Sequence, residues 1–287
     1  MKKVVPTFST KKLPITLVMV VHNEESVIER AIKSVAPYVS EILVVHDGKC
    51  ADKTKKIVKK YKGIFIEREY VGVAEPHRVY TYKNAKYEWL MQLDADEFLS
   101  ADIQNNLSKM LNSGVDICTT NWPFVDGGKV IHNSHMRHLL FKKSQVYFIA
   151  SPHEFVRPIN RQIKTQHFNY DLIHAPKNEQ FAWKTMLNKT KKWTPIHAQV
   201  IIDWDNAEKY NYSGQALPLL TLNKFLLNRY FFMINGFLFI PILLVGQTVV
   251  NLIKYRQPLG FAIRRLCLMI HYYWSVTVLI FYKKLFT

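Results

Sequence analysis

Trp89-Leu90-Met91-Gln92-Leu93-Asp94-Ala95-Asp96-Glu97 runs from apolar residues straight into three carboxylates. Read as a buried strand, it delivers Asp94 and Asp96 to the carboxyl end of a sheet. Open α/β folds bind ligands there, and paired acidic oxygens grip a hard divalent cation. A cation so held is placed to meet a diphosphate. A D-x-D on its own is a common chance match, so its weight comes from the sequence around it.

Upstream, Ile15 to Val21 is nearly continuous apolar sequence, as a parallel strand covered on both faces requires, and it meets His22-Asn23-Glu24-Glu25. Asn23 predicts an N-cap and the two glutamates suit the positive end of a helix. Val27, Ile28, Ala31, Ile32 and Val35 then repeat at helical spacing as far as Pro37. The unit recurs: Ile42 to Val45 opens into His46-Asp47-Gly48 and a basic helix carrying Ile57, Val58 and Tyr61. Ile64 to Ile66 reads as a third strand, and His77 to Glu88 as a helix leading to the strand before Asp94. This alternation predicts an α/β fold with a mostly parallel, doubly wound sheet, whose right-handed crossovers bring Glu24, Asp47 and Asp94 together.

These residues resemble the family 2 glycosyltransferases of the GT-A fold, which use nucleotide-diphosphate sugars. The resemblance is carried by Val21-His22-Asn23-Glu24-Glu25, by Val44-Val45-His46-Asp47-Gly48 with Asp52 and Thr54, by Arg78 and Ala85, and by Leu93-Asp94-Ala95-Asp96-Glu97. It covers roughly the first hundred residues, and ordered motifs are more specific than any one of them. It implies donor contacts from His22, Glu24, His46, Asp47, Arg78 and Asp94. It also implies a divalent cation, Mn2+ or Mg2+, held by Asp94 and Asp96 with His153 or His174 completing the shell, and UDP-sugar as the expected donor. Glu97 would hold the loop or face the sugar. His46 stands where the family places an aspartate against the base or ribose, the following loop is one residue longer, and Val79 replaces an asparagine, so the nucleotide stays open. Further on, Arg137-His138-Leu139-Leu140-Phe141 and Ser151-Pro152-His153-Glu154 resemble the lipopolysaccharide core glucosyltransferase subgroup.

Transfer with inversion needs a base for the acceptor hydroxyl. Glu154 is the candidate: it sits between apolar runs, where partial burial would raise its pKa. An ion pair with Arg157 or Arg137 is the plainer alternative.

The formal net charge is +17. No nucleic-acid recognition motif accompanies it, and anionic lipid plus a diphosphate donor accounts for it better. Cys50, Cys118 and Cys267 are widely spaced, which suits a reducing compartment. No signal-peptide pattern is expected either, because the first apolar run leads into a charged turn. The catalytic half is therefore expected on the cytoplasmic face of a membrane.

The sequence divides into an extension at 1–12, a GT-A catalytic domain at 13–215 and a membrane-associating helical region at 216–287. Within the last, Tyr230 to Ile253 has no Asp, Glu, Lys, Arg or His and would reach about 36 Å as a helix, against a hydrocarbon core of about 30 Å. Leu266 to Tyr282 would reach only about 25 Å. Basic residues flank both segments, so a re-entrant or in-plane arrangement broken at Pro241 and Gly246 is expected, with a hairpin as the alternative. An upstream helix around Glu179 to Trp193 would add lysines to that surface. The resulting expectation is transfer to a lipid-linked or lipopolysaccharide-type glycan. A polyprenyl-phosphate glycosyltransferase and a non-catalytic nucleotide-sugar-binding membrane protein are the alternatives.

Overall fold

The computed structural model describes residues 12–148, 155–177, 182–202 and 235–285. His153 and Glu154 lie outside the described residues, as do Tyr230 and the boundary at 215–216.

Strands β1 (Leu13–Val21), β2 (Val39–Asp47), β3 (Ile64–Arg68) and β4 (Trp89–Gln92) pair in parallel. Helices α1 (Ile28–Val35), α2 (Thr54–Lys60) and α3 (Glu75–Asn84) connect them. The sheet order β3-β2-β1-β4 builds outward from β1 in one direction and then returns to its other side. The switch point therefore falls between β1 and β4, which puts a ligand crevice where Val21 and Gln92 end. The apolar run of the first strand is buried on both faces, as its composition demands.

The sheet continues through β6 (Ile117–Asn121), β9 (Met136–Lys142) and β12 (Thr165–His174). β9 lies antiparallel between β4 and β6, and β12 runs parallel to β6. Short strands β5 (Glu97–Leu99), β7 (Phe124–Asp126) and β8 (Lys129–Ile131) extend the β12 edge. β5 pairs antiparallel with β12, so Glu97 faces His174 across the register. Ser100 caps α4 (Ala101–Leu111) by accepting from Ile103 N. The small pair β10 (Val146–Tyr147) and β11 (Arg157–Pro158) lies apart.

Several local expectations need correction. Asn23 is no N-cap: it adopts a positive φ of 53°, and α1 starts later, after Val27, without a side-chain cap. Asn tolerates that conformation because its short amide bonds locally; here Asn23 Oδ1 accepts from Ala51 N at 2.9 Å. The helix expected at His77 to Glu88 starts earlier, at Glu75 beside Pro76, and ends at Asn84. The helix expected to end near Trp193 continues to Ile202 as α5 (Trp183–Ile202), with Pro195 inside it.

In the C-terminal region a π turn (Asn235–Phe239) runs into α6 (Ile240–Lys254). Pro241 sits in the first turn of α6, where its missing N–H costs nothing, and Gly246 leaves the helix unbroken. The second apolar segment is longer than its composition suggested. α7 runs Leu259–Leu285, taking in Arg264 and Arg265. Both helices are long and apolar enough to cross a membrane. One face of α7 packs on α5, where Tyr272, Val276 and Ile280 bury Ala198, and Tyr272 Oη meets His197 Nδ1 at 2.9 Å. Much of the remaining surface is apolar and exposed: Ile242 at 66%, Leu243 at 70% and Ile253 at 76%.

Candidate active site

The first turn of α3 ties β2 to β4. His77 Nε2 meets Asp47 Oδ1 at 2.9 Å, and the next residue, Arg78, donates to Asp94 Oδ1 at 2.7 Å. Asp47 also accepts from Val71 N at 2.6 Å and Gly72 N at 2.7 Å. Burial works against its charge, but these bonds outweigh burial and hold its pKa below the usual carboxylate range. Asp47 thus folds the 71–72 loop onto the end of β2. The neighbouring His46 is fully buried. Its Nε2 accepts from Asn23 N at 3.0 Å, so Nδ1 carries the hydrogen and donates to Gly48 O at 2.9 Å. Both ring nitrogens are spent inside the protein. Gly48 needs its positive φ of 84°, and Tyr70 lies 3.2 Å from where a Cβ would stand. His22 donates from Nδ1 to Asp47 O at 2.7 Å, and its ring is 5.3 Å from that of Tyr70.

At β4 the carboxylates divide their work. Asp94 is clamped by Arg78 on Oδ1 and by Arg137 Nη2 on Oδ2 at 3.3 Å. Burial raises its pKa, and the two guanidinium charges more than reverse that, leaving it lowered. Arg137 projects from β9 and is itself almost wholly enclosed. Its Nη2 also donates to Glu97 Oε2 at 3.3 Å, and its Nε lies 3.1 Å from Glu97 Oε1. Glu97 has no exposure and accepts from Asp94 N at 2.8 Å. Burial pushes its carboxyl upward despite Arg137. Gln92 completes the cluster: with its amide turned to satisfy both sides, Oε1 accepts from Arg78 Nη1 and Arg137 Nη2, each at 3.2 Å, while Nε2 donates to Tyr82 Oη.

Asp96 faces the other way. Its Oδ2 meets His174 Nε2 at 3.2 Å, and its backbone carbonyl accepts from Ala175 N at 2.9 Å. Burial draws His174 down, but the Asp96 bond and the charges of Asp96, Glu97 and Asp94 outweigh it, so its pKa is raised. Trp122 stacks on the imidazole with centroids 5.0 Å apart. The His174 Nδ1 is buried, with no hydrogen-bond partner among the described residues.

The charges of two lysines act on these carboxylates. Lys177 donates to Asn23 O at 3.0 Å and pairs with Glu24 Oε2 at 2.8 Å. Glu24 nevertheless has a raised pKa, because burial exceeds the effect of Lys177. Lys189 of α5 has its Nζ 5.5 Å from the centroid of the Trp193 ring. Burial lowers its pKa, against the attraction of Asp96 and Glu24.

Of the residues expected from sequence, the fold therefore brings together Glu24, Asp94 and Asp96 around the β1–β4 crevice, with Arg78 behind them. Glu154 and His153 lie outside the described residues. Arg137, expected only as a motif residue and an ion-pair partner of Glu154, and Lys189 were not foreseen beside these carboxylates. An arginine within the alternating apolar strand Arg137 to Phe141 was the available signal for the first; the second depends on a helix crossing that no local pattern encodes. Among the described residues no cluster of three or more His, Cys, Asp and Glu is arranged to hold a metal ion. Asp96 and His174 form a carboxylate–imidazole pair whose chemistry suits a manganese-like ion that draws its remaining ligands from a diphosphate.

The family model for glycosyl transferase family 2 matches residues 16–179. An uncharacterised glycosyltransferase of Rickettsia bellii is 31% identical over 104 residues, which is 36% of this chain and 34% of that protein's length. Among solved structures, the chain is similar to S. aureus TarS 1-349 at 12% identity and TM-score 0.47, covering 95% of this chain and 92% of the other. It is also similar to the Pyrobaculum calidifontis mannosyltransferase PcManGT, solved with GDP-Man and Mn2+, at 14% identity and TM-score 0.46, covering 96% and 89%.

Proposed function

This chain belongs to glycosyl transferase family 2, and from that premise we propose that it moves a sugar, with inversion, from a nucleotide diphosphate, UDP-sugar first, to a glycan carried on lipid at the cytoplasmic face of a membrane. The acceptor class is a lipopolysaccharide-type or other cell-envelope glycan. The observation that carries the reading is the pairing of Asp96 with His174 at the sheet's switch point.

The leaving diphosphate accumulates negative charge, and fixed positive charge aimed at it lowers the barrier. Lys189, half-buried near Asp96 and Glu24, supplies such a charge from α5. A divalent cation bound by Asp96 and His174 would neutralise the diphosphate. Asp94 does not need to bind that ion. Its grip on Arg78 and Arg137 fixes the loop that presents Asp96, and its partly exposed carboxylate (34%) remains available to a donor hydroxyl. Glu154 is assigned by sequence as the base for the acceptor hydroxyl. The exposed apolar faces of α6 and α7 support delivery of that acceptor from a bilayer.

The direct test incubates purified protein with a panel of nucleotide sugars, Mn2+ or Mg2+, and lipid extract, and identifies the labelled product by mass spectrometry. Glu154→Gln should abolish transfer while donor affinity stays near normal, since the base acts on the acceptor proton. Normal turnover by that variant would remove Glu154 from the chemistry.

A further inference from the structure

Between the loop after β8 and helices α6 and α7 lies a partly open pocket of about 40 Å3, lined by His135, Leu244, Asn251, Gln257, Arg265 and Met269 among others. Uncharged polar groups seal its protein side. Gln257 Nε2 donates to His132 O at 2.8 Å, Asn251 Oδ1 accepts from Ser134 N at 3.0 Å, and Gln247 Nε2 donates to Ser134 Oγ at 3.3 Å. Arg265 is the cation in this wall. Its guanidinium lies 5.3 Å from the centroid of the Phe124 ring and contacts His135 Nε2. Burial together with the Arg265 charge pushes His135 down to about 3, so this imidazole stays uncharged and compensates nothing. Among the described residues no carboxylate pairs with Arg265, and Asp126 on the nearby hairpin lies 3.7 Å from Arg264 instead.

A guanidinium held partly out of water, with no carboxylate against it among the described residues, is a ready partner for an anion. The other wall specifies what kind. Leu244, Leu266 and Met269 line the same cavity, and the flanking helix faces expose Ile242, Leu243 and Ile253. A free anion has no use for such surface, whereas a lipid has an apolar part to place on it. Arg265 also lies only six residues into α7, roughly 9 Å along its axis, which suits the headgroup level of a bilayer. Phe124 then links the cavity to the active site: its ring is 5.1 Å from that of His174, which holds Asp96.

We propose that the cavity at Arg265 binds the phosphate of a membrane lipid headgroup and so seats the bilayer one aromatic residue away from the Asp96–His174 pair. The site deepens the lipid-acceptor reading and rests on it for its purpose, but headgroup binding needs neither donor nor turnover. Failure of either idea is therefore seen separately.

The test is flotation of the full chain with phosphatidylcholine vesicles carrying phosphatidic acid, or carrying phosphatidylserine at matched surface charge. Wild type should prefer phosphatidic acid at least tenfold, because a guanidinium fork reads a phosphate monoester better than a diffuse field does. Arg265→Ala and Arg265→Lys should both erase that preference. Lys254→Ala, which removes a charge outside the cavity, should cost about fivefold on both vesicle types and leave the preference intact. Equal wild-type binding to the two vesicle types, or full rescue by lysine, would reduce the effect to general electrostatic attraction and overturn the proposal. Millimolar inorganic phosphate should not displace the protein; if it does, the cavity reads free phosphate and the lipid assignment is wrong. The wild-type preference decides the matter even if the Arg265 variants fail to fold.

Discussion

At the carboxyl edge of the sheet, charged side chains lie inside the protein; on α6 and α7, large apolar side chains lie outside it. Arg137 and Glu97 are enclosed, and each has its charge answered by a neighbour. Ile253 is 76% exposed, uncovered by any of the described residues. Burying charge and exposing hydrocarbon are both unfavourable for a protein in water. The first cost is met internally by the cluster of Arg78, Asp94, Glu97 and Arg137. The second is not met by any described residue, and the two regions should respond to substitution in opposite ways.

The largest effect is expected at the sheet edge. Arg137→Met keeps most of the volume but leaves Glu97 buried without its cation and takes one partner from Asp94. Breaking a buried pair from one side costs about 3–5 kcal/mol, so urea unfolding should show a destabilisation of that order together with lost turnover. A change under about 1 kcal/mol would mean that Glu97 is carried as a neutral acid and that the cluster is not ionic. Next comes Asp96→Asn, which keeps shape and removes charge. Transfer should fall by about 100- to 1000-fold, as loss of a major electrostatic contribution does, with unfolding little changed at a pH above the His174 pKa. Full activity in chelator would defeat the cation's part in this.

A smaller effect follows from His174. Its folded pKa is raised above the ordinary value near 6.5. The stabilisation from the Asp96 contact is therefore fully present below about pH 6.5 and is lost as pH rises through the folded pKa. Unfolding free energy should decline across that window, and NMR titration of the imidazole should place its pKa above that of a free histidine. Asp96→Asn should bring both back toward ordinary behaviour. An unshifted imidazole in the wild type would show that the carboxylate and the ring do not face each other in solution.

The sheet edge was legible in sequence because its signals are local. A strand covered on both faces reads as an apolar run, and Asp94 and Asp96 follow within four residues of Gln92. The convergence of Glu24 and Asp94 required only the handedness of crossovers. His46 and Asp47 stood in the right place, but their engagement with Asn23, Val71, Gly72 and His77 depends on loops folding back from elsewhere. Arg137 reaches the cluster through an antiparallel β9 inserted between β4 and β6, a strand order that no local pattern announces. Lys189 and Arg265 were read as members of basic surfaces for the same reason. The length of α7 was missed because Arg264 and Arg265 looked like a boundary, whereas long cationic side chains are accommodated within a helix whose other residues are apolar.

The smallest expected change in stability, and the one that most sharpens the contrast, is at α6. Leu243→Ser and Ile253→Ser replace side chains that are 70% and 76% exposed. In the isolated protein each should alter unfolding free energy by no more than about 0.5 kcal/mol, since surface substitutions away from special features rarely do more. Affinity for vesicles should nonetheless fall by roughly tenfold or more per substitution, because a side chain moved from water into hydrocarbon contributes about 1.5–3 kcal/mol. Combining the two should multiply the losses if both enter the same bilayer. A stability loss of about 2–4 kcal/mol without lipid is the size of a core truncation. It would mean that protein, in a second copy or a partner, covers this face in solution, and the apolar surface would then belong to an assembly interface instead of a membrane.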